Sequence, residues 1–279
     1  MSSILVTGAS GFVGRSLVDA LKDKRHDVHE YSIEQGDIVH GQLPEVRTDQ
    51  VFHLAARMFV PDSWKEPQAF YDVNVLGTVN VLEYCRKHKA SLTLISSYVY
   101  GRPDSLPISE DHPLRAQNPY GQTKVLAEEL CRFYELSFQV PVTIIRPFNL
   151  YGPGQPKHFL IPTLVAQALS AESAEIVVND ESPRRDYIFI TDLVELLTRV
   201  AEDPKPGAYN AGSGCSYSVA EIVGMINSLV PVPKSLRTRG EQRPNEILDV
   251  VADIRKAREA FGWEPMVSMR EGLARLIGS

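Results

Sequence analysis

The chain of 279 residues has no apolar run approaching the length of a bilayer-spanning helix. Its start, Met1-Ser2-Ser3-Ile4-Leu5-Val6, lacks the charged leader and cleavage region of a secretory signal. A cytoplasmic location without a membrane partner is the expectation. Cysteine is scarce: Cys85, Cys131 and Cys215 are odd in number and far apart, which suits reduced thiols and speaks against a disulfide framework. The seven histidines show no ligand-like spacing, so no metal is expected. With a formal net charge of −6, the chain offers no general basic surface for nucleic acid, and any anionic ligand must be met locally. Internal repeats and low-complexity segments are also missing.

What the chain has is alternation. Ile4-Leu5-Val6-Thr7 runs into glycines, and apolar residues then recur at helical spacing over 12–21, which reads as strand, tight turn, helix. Further strands are expected at 28–32, 50–55, 91–96 and 140–146, with helices at 73–88 and from Pro119 to about 136. Strands alternating with helices predict an α/β fold whose parallel sheet is covered on both faces. After Pro147 the turn formers become dense and the helices shorter, which divides the chain into 1–148 and 149–279. The second part is expected to hold helices at 161–169, 191–201, 219–229 and 254–261. Two short strands, at 175–178 and 208–210, are expected to extend or flank the first sheet.

Two patterns carry chemistry. Gly8-Ala9-Ser10-Gly11-Phe12-Val13-Gly14 follows the first strand and opens the first helix. Glycines there let the backbone turn sharply and approach a pyrophosphate at the positive end of the helix. No Gly-Lys-Ser/Thr ending is present, which excludes a nucleoside-triphosphatase loop. In Asn118-Pro119-Tyr120-Gly121-Gln122-Thr123-Lys124, asparagine and proline form a helix start, and Tyr120 and Lys124 fall four apart on one helix face. A phenol titrates near pH ~10, and a fixed cation nearby favours its phenolate, so the pair can work as an acid/base.

With these motifs in order, the chain resembles the extended short-chain dehydrogenase/reductases, the group of nucleotide-sugar epimerases, dehydratases and 4-keto-sugar reductases. Phe52-His53-Leu54-Ala55-Ala56, Val73-Asn74-Val75-Leu76-Gly77-Thr78 and Ser96-Ser97-Tyr98-Val99-Tyr100-Gly101 resemble three further family segments. The resemblance implies a Rossmann-type doubly wound sheet with a smaller C-terminal mixed α/β substrate domain, from which some segments return to the first. It implies Ser96, Tyr120 and Lys124 as catalytic residues, Ser96 being found by counting back four from Tyr100. NAD or NADP would lie against Gly8, Ser10, Gly11, Phe12, Val13, Gly14, Ser32, Asp37, Ile38, Leu54, Ala55, Ala56, Asn74, Tyr120 and Lys124. A nucleoside-diphosphate sugar would meet Ser97 and Asn149, with Arg185 and Arg243 clamping its phosphates. A homodimer through the helices at 73–88 and 120–136 is expected.

Three departures matter. At the end of the second strand, where NAD-binding relatives keep an acid for the ribose hydroxyls, stands Ser32. That leans the cofactor toward NADP, with Arg15 the nearest cation. The stretch 32–50 is short, with little room for a full helix and a third strand. The Asp-Glu pair that sugar 4,6-dehydratases place after the hydroxyl residue is replaced by Ser97 and Tyr98, which disfavours elimination. Hydride transfer at C4 remains, as 4-epimerisation or as 4-keto-sugar reduction. A cofactor-binding regulator without turnover is the competing reading.

Overall fold

A computed structural model describes residues 1–241 and 246–278. β1 (Ser3–Thr7) leads into α1 (Phe12–Asp23), β2 (Asp27–Tyr31) and β3 (Gln50–His53). Two short helices, α2 (Val60–Lys65) and α3 (Pro67–Tyr71), run through a π-helical turn at Asp72–Leu76 into α4 (Gly77–His88). β4 (Ser91–Ile95), α5 (Pro119–Phe138) and β5 (Val142–Pro147) follow. The second half contributes β6 (Asn149–Tyr151), α6 (Leu160–Leu169), β7 (Glu175–Val178), β8 (Arg184–Phe189) and α7 (Ile190–Glu202). It continues with β9 (Gly207–Ala211), β10 (Ser216–Ser218), α8 (Val219–Asn227), β11 (Ser235–Thr238), α9 (Arg255–Phe261) and α10 (Met269–Ile277).

The main sheet has six parallel strands in the order β2-β1-β3-β4-β5-β9. Strands covered on both faces need near-continuous apolar sequence, and the central ones have it: Ile4, Leu5, Val6, Val51, Phe52, Leu92, Leu94, Ile144 and Ile145 are all buried. α1 lays Leu17, Val18 and Leu21 into the core on one side and packs against α7, while Val81, Leu82 and Cys85 of α4 cover the other. The fold is therefore α/β, a doubly wound parallel sheet of the Rossmann type.

β9 comes from the second half yet completes the edge of the first sheet, with Ile145 opposite Tyr209. β7 does not extend that sheet, the first of the two alternatives expected for 175–178. It pairs in parallel with β11, an exposed strand the sequence pattern does not reveal. β6, β8 and β10 form a third, three-stranded sheet. Residues 32–49 form neither helix nor strand; the Asn80 side chain donates to the carbonyls of Ile38 and Val39 at 2.9 and 2.8 Å and docks this connection on α4. In a sheet of this type ligands bind beyond the carboxyl ends of the strands, where the glycine turn, Ser97 and the start of α5 all lie.

Candidate active site

At the end of β1, Gly8 takes φ +72°, and a Cβ there would stand 2.7 Å from the Ala55 nitrogen. Its N–H donates to the Tyr31 carbonyl at 2.8 Å, tying the turn to the end of β2. A Cβ on Gly14 would lie 2.1 Å from the Gly8 carbonyl oxygen, so α1 can approach the turn this closely only with glycine. Gly11 caps α1 without a side-chain acceptor, which leaves the first-turn N–H groups around Phe12 and Val13 to an anion. Arg15 folds back, its Nε donating to the Ser10 carbonyl at 2.7 Å. The chain leaving β3 through Leu54, Ala55 and Ala56 walls the turn, with the Leu54 N–H donating to the Thr7 carbonyl at 3.1 Å. This cradle fits the pyrophosphate of a dinucleotide: side chains are excluded where one would have to pass.

Ser32 lies just past β2 and is buried. Its hydroxyl donates to Glu34 at 2.9 Å and to Gln35 at 2.5 Å. A carboxylate is therefore present near the end of β2, two residues later than the strand pattern places it. Asp37 caps its own turn by accepting the Val39 N–H at 2.8 Å, and Ile38 packs against Gly77. Asn74 sits in the π-helical turn, a distortion common at functional sites. Its side chain is used up internally: it accepts from the Arg57 N–H at 2.8 Å and donates to the Arg57 carbonyl and to Thr123 Oγ1, both at 2.9 Å. Asn74 thus braces the start of α5 rather than offering a free amide to the cofactor.

The helix start at Asn118 forms as its residues predict, the side chain accepting the Gly121 N–H at 2.7 Å with Pro119 in the first turn. Tyr120 is half-buried, its ring edge-to-face with Phe70 at 6.4 Å. Burial raises its pKa, while the Ser97 hydroxyl beside the phenol favours the phenolate. Lys124 is buried and donates to the Ile95 carbonyl at 2.8 Å; burial draws its pKa down to about 8 against the opposing charge of Glu128. Ser96 does not face the Tyr120 phenol. Its buried hydroxyl donates to Glu128 at 2.6 Å, on the interior side of the strand end, so the hydroxyl next to Tyr120 is that of Ser97. Successive side chains at a strand end point to opposite sides, and counting back from Tyr100 lands on the wrong one.

Across the cleft, the Asn149 side chain donates to the Asp186 carbonyl at 3.0 Å. Arg185 donates to the Ile247 carbonyl at 2.6 Å and forms a salt bridge with Glu246, so its guanidinium is engaged by the chain itself. Arg243 lies outside the described residues. Asp186 is a structural hub, accepting from Ser213, Gly214 and Ala252 backbone N–H groups at 2.6, 3.0 and 3.0 Å. Sequence reasoning passed over two groups in this region, Glu34 and Glu128.

Residues 4–212 match the NAD dependent epimerase/dehydratase family. The chain belongs to that family. It is 32% identical to a UDP-glucose 4-epimerase of Mycolicibacterium smegmatis, covering 98% of this chain and 96% of the relative. The structure of RMD from Pseudomonas aeruginosa complexed with NADPH superposes with a TM-score of 0.91 at 27% identity, covering 100% of this chain and 98% of that one. TunA, described as a NAD dependent NDP-hexosamine 5,6-dehydratase, superposes with a TM-score of 0.89 at 31% identity over 100% of this chain and 97% of its own. Family members thus run different reactions on one scaffold, and this chain is an NAD(P)-dependent enzyme of that kind. Among the described residues no helix is long and apolar enough to cross a membrane.

Proposed function

We propose that the chain transfers a hydride at C4 of a nucleoside-diphosphate sugar, as a 4-epimerase or a 4-keto-sugar reductase. The observation that carries this is the half-buried Tyr120 phenol beside the Ser97 hydroxyl, on the same edge of the sheet as a glycine cradle shaped for a dinucleotide. The bound dinucleotide supplies the hydride acceptor or donor. Tyr120 takes the proton of the sugar hydroxyl as the C4–H bond breaks, and returns a proton to the oxygen when the carbonyl is reduced. Ser97 donates a hydrogen bond to that oxygen, where negative charge gathers. Lys124, as an ammonium ion, would favour the phenolate and hold the cofactor ribose. Elimination would need a second acid and base. Tyr98, which follows Ser97, supplies neither, its phenol bonded to the Gly101 carbonyl and pushed up to about 12 by burial.

Glu34, held by Ser32, supports NAD over NADP: its carboxylate can accept the ribose hydroxyls and would repel a 2′-phosphate. This reverses the lean that Ser32 alone suggests. For the substrate phosphates, Arg185 anchors the segment beginning at Glu246, and Arg243 just before it is the proposed clamp. A homodimer through α4 and α5 is consistent with the exposed Phe133, Leu136 and Phe138 at the end of α5. The test is incubation with a panel of nucleotide sugars and their 4-keto forms, with NAD and NADP separately, following absorbance and product. Net cofactor consumption identifies a reductase, and product without consumption an epimerase. Tyr120→Phe should abolish turnover while nucleotide-sugar binding survives; unchanged turnover would overturn the assignment.

A further inference from the structure

One buried carboxylate has no part in the steps above. Glu128 lies on α5 one turn beyond Lys124 and two beyond Tyr120, so the three share one stripe of the helix. Its side chain is 0% exposed, which an ionised carboxylate tolerates only with partners. It accepts from Ser96 Oγ at 2.6 Å, from Arg146 Nε and Nη2 at 3.0 and 2.6 Å, and from Arg132 Nη2 at 3.3 Å. Arg146, 1% exposed, is fixed in turn by donating from Nη1 to the Tyr100 hydroxyl at 2.9 Å and to the Glu110 carbonyl at 3.1 Å. These bonds and its full burial fix the carboxylate's orientation.

Lys124 presents its ammonium to this interior with a neutral carbonyl as its hydrogen-bond acceptor. The groups acting on it are Glu128 and Cys131 from its own helix, Ile95 at the end of β4 and His53 from β3, while Ser96 and Arg146 meet it only through Glu128. His53 stays neutral, its pKa drawn down to about 3 by burial and by the charge of Lys124. Burial likewise pushes the Cys131 thiol up and keeps it protonated. Among these described neighbours, Glu128 is the one carboxylate, and it raises the pKa of Lys124 against the effect of burial.

We propose that Glu128 is a positioning residue for the hydride-transfer site: its carboxylate, locked by Ser96 and Arg146, keeps Lys124 an ammonium ion at neutral pH. This rests on the role given to Lys124 above, but it can be read without any substrate. The full chain labelled with 13Cε-lysine is titrated by NMR, with and without NAD, and the Lys124 signal is assigned by its loss in Lys124→Met. In the unsubstituted protein the midpoint should lie near 8, where burial and Glu128 balance. Glu128→Gln should lower it by about one unit or more, a tenfold or greater loss of proton affinity. Glu128→Asp, which restores the charge, should bring the midpoint most of the way back even though melting temperature stays reduced. If Glu128→Gln does not fold because Arg146 is left unpaired, Glu128→Gln/Arg146→Met removes the pair together and should give a smaller drop of the same sign. A midpoint within about 0.3 unit of the unsubstituted protein in the folded Gln variant, or a drop in the Asp variant equal to that in the Gln variant, would overturn the proposal. Because the titration involves no turnover, that failure is distinct from failure of the proposed reaction.

Discussion

Ser96 and Ser97 are adjacent in sequence, yet alanine at the two positions should produce opposite phenotypes. Ser96 is 3% exposed and its hydroxyl donates at 2.6 Å to a carboxylate on a side chain that is 0% exposed, so Ser96→Ala removes a charge-assisted bond in the core. Such a bond is worth about 1.5–3 kcal/mol, and in a chain of this size that lowers the melting temperature by about 3–5 °C. The proton-handling groups keep their places, so turnover should stay within about tenfold. Ser97 is half-buried beside the Tyr120 phenol, and its loss takes a donor from the oxygen where charge develops. Removing one such donor costs on the order of 10²–10³ in kcat, while stability should change by no more than about 0.5 kcal/mol. The assay pairs thermal unfolding with initial rates on whichever nucleotide sugar the panel identifies. If Ser96→Ala loses rate with its melting temperature intact, and Ser97→Ala turns over normally, then Ser96 is the working hydroxyl and the strand-end geometry has been misread.

Two more outcomes are expected. Glu34→Arg should tighten NADP binding and weaken NAD binding in a fluorescence or calorimetric titration without sugar; unchanged affinities for both would remove Glu34 from the ribose site. His53 is buried and neutral in the folded chain, its pKa about 3 against 6.5 when unfolded, so the unfolded state binds the extra proton first. Stability should fall by about 1.4 kcal/mol per pH unit from this group as the pH drops from 6.5 toward 3. His53→Gln, which can keep hydrogen bonds to Thr7 and Thr78, should flatten that limb in urea unfolding across pH. An equally steep limb in the variant would assign the slope to carboxylates instead.

The parallel sheet and its helices were legible because their signals are local and periodic: apolar β1 into glycine, Asn118 before Pro119, the α1 stripe of Leu17, Val18 and Leu21. β11 was not, since Ser235–Thr238 has no apolar alternation and owes its pairing to β7 far away. Ser96 and Ser97 could not be ordered by counting, because one residue of register decides which side of a strand end a side chain takes. Glu128 had a weak signal, a carboxylate at the next i+4 step after Tyr120 and Lys124, but its meaning depends on Arg146 arriving from another strand. Ser32 looks like a missing acid in the sequence because the acid is brought back by a turn, Gln35 and Gly36 N–H donating to the Ser32 carbonyl at 2.9 and 3.1 Å.

The return of β9 to the main sheet also governs the order in which this protein can be completed during synthesis. β5 leaves the ribosome with an open edge, and its neighbour, pairing Thr143 with Gly207, follows only after β6 to α7 have been made. Arg146 and Pro147 stand in that same register, opposite Asn210 and Ala211, so the strand bearing the partner of Glu128 stays unpaired on one side until late. A fragment ending at residue 148 would expose this edge permanently. Residues 1–148 thus do not close their own sheet, and a nascent chain stalled before β9 would be the form most prone to aggregate.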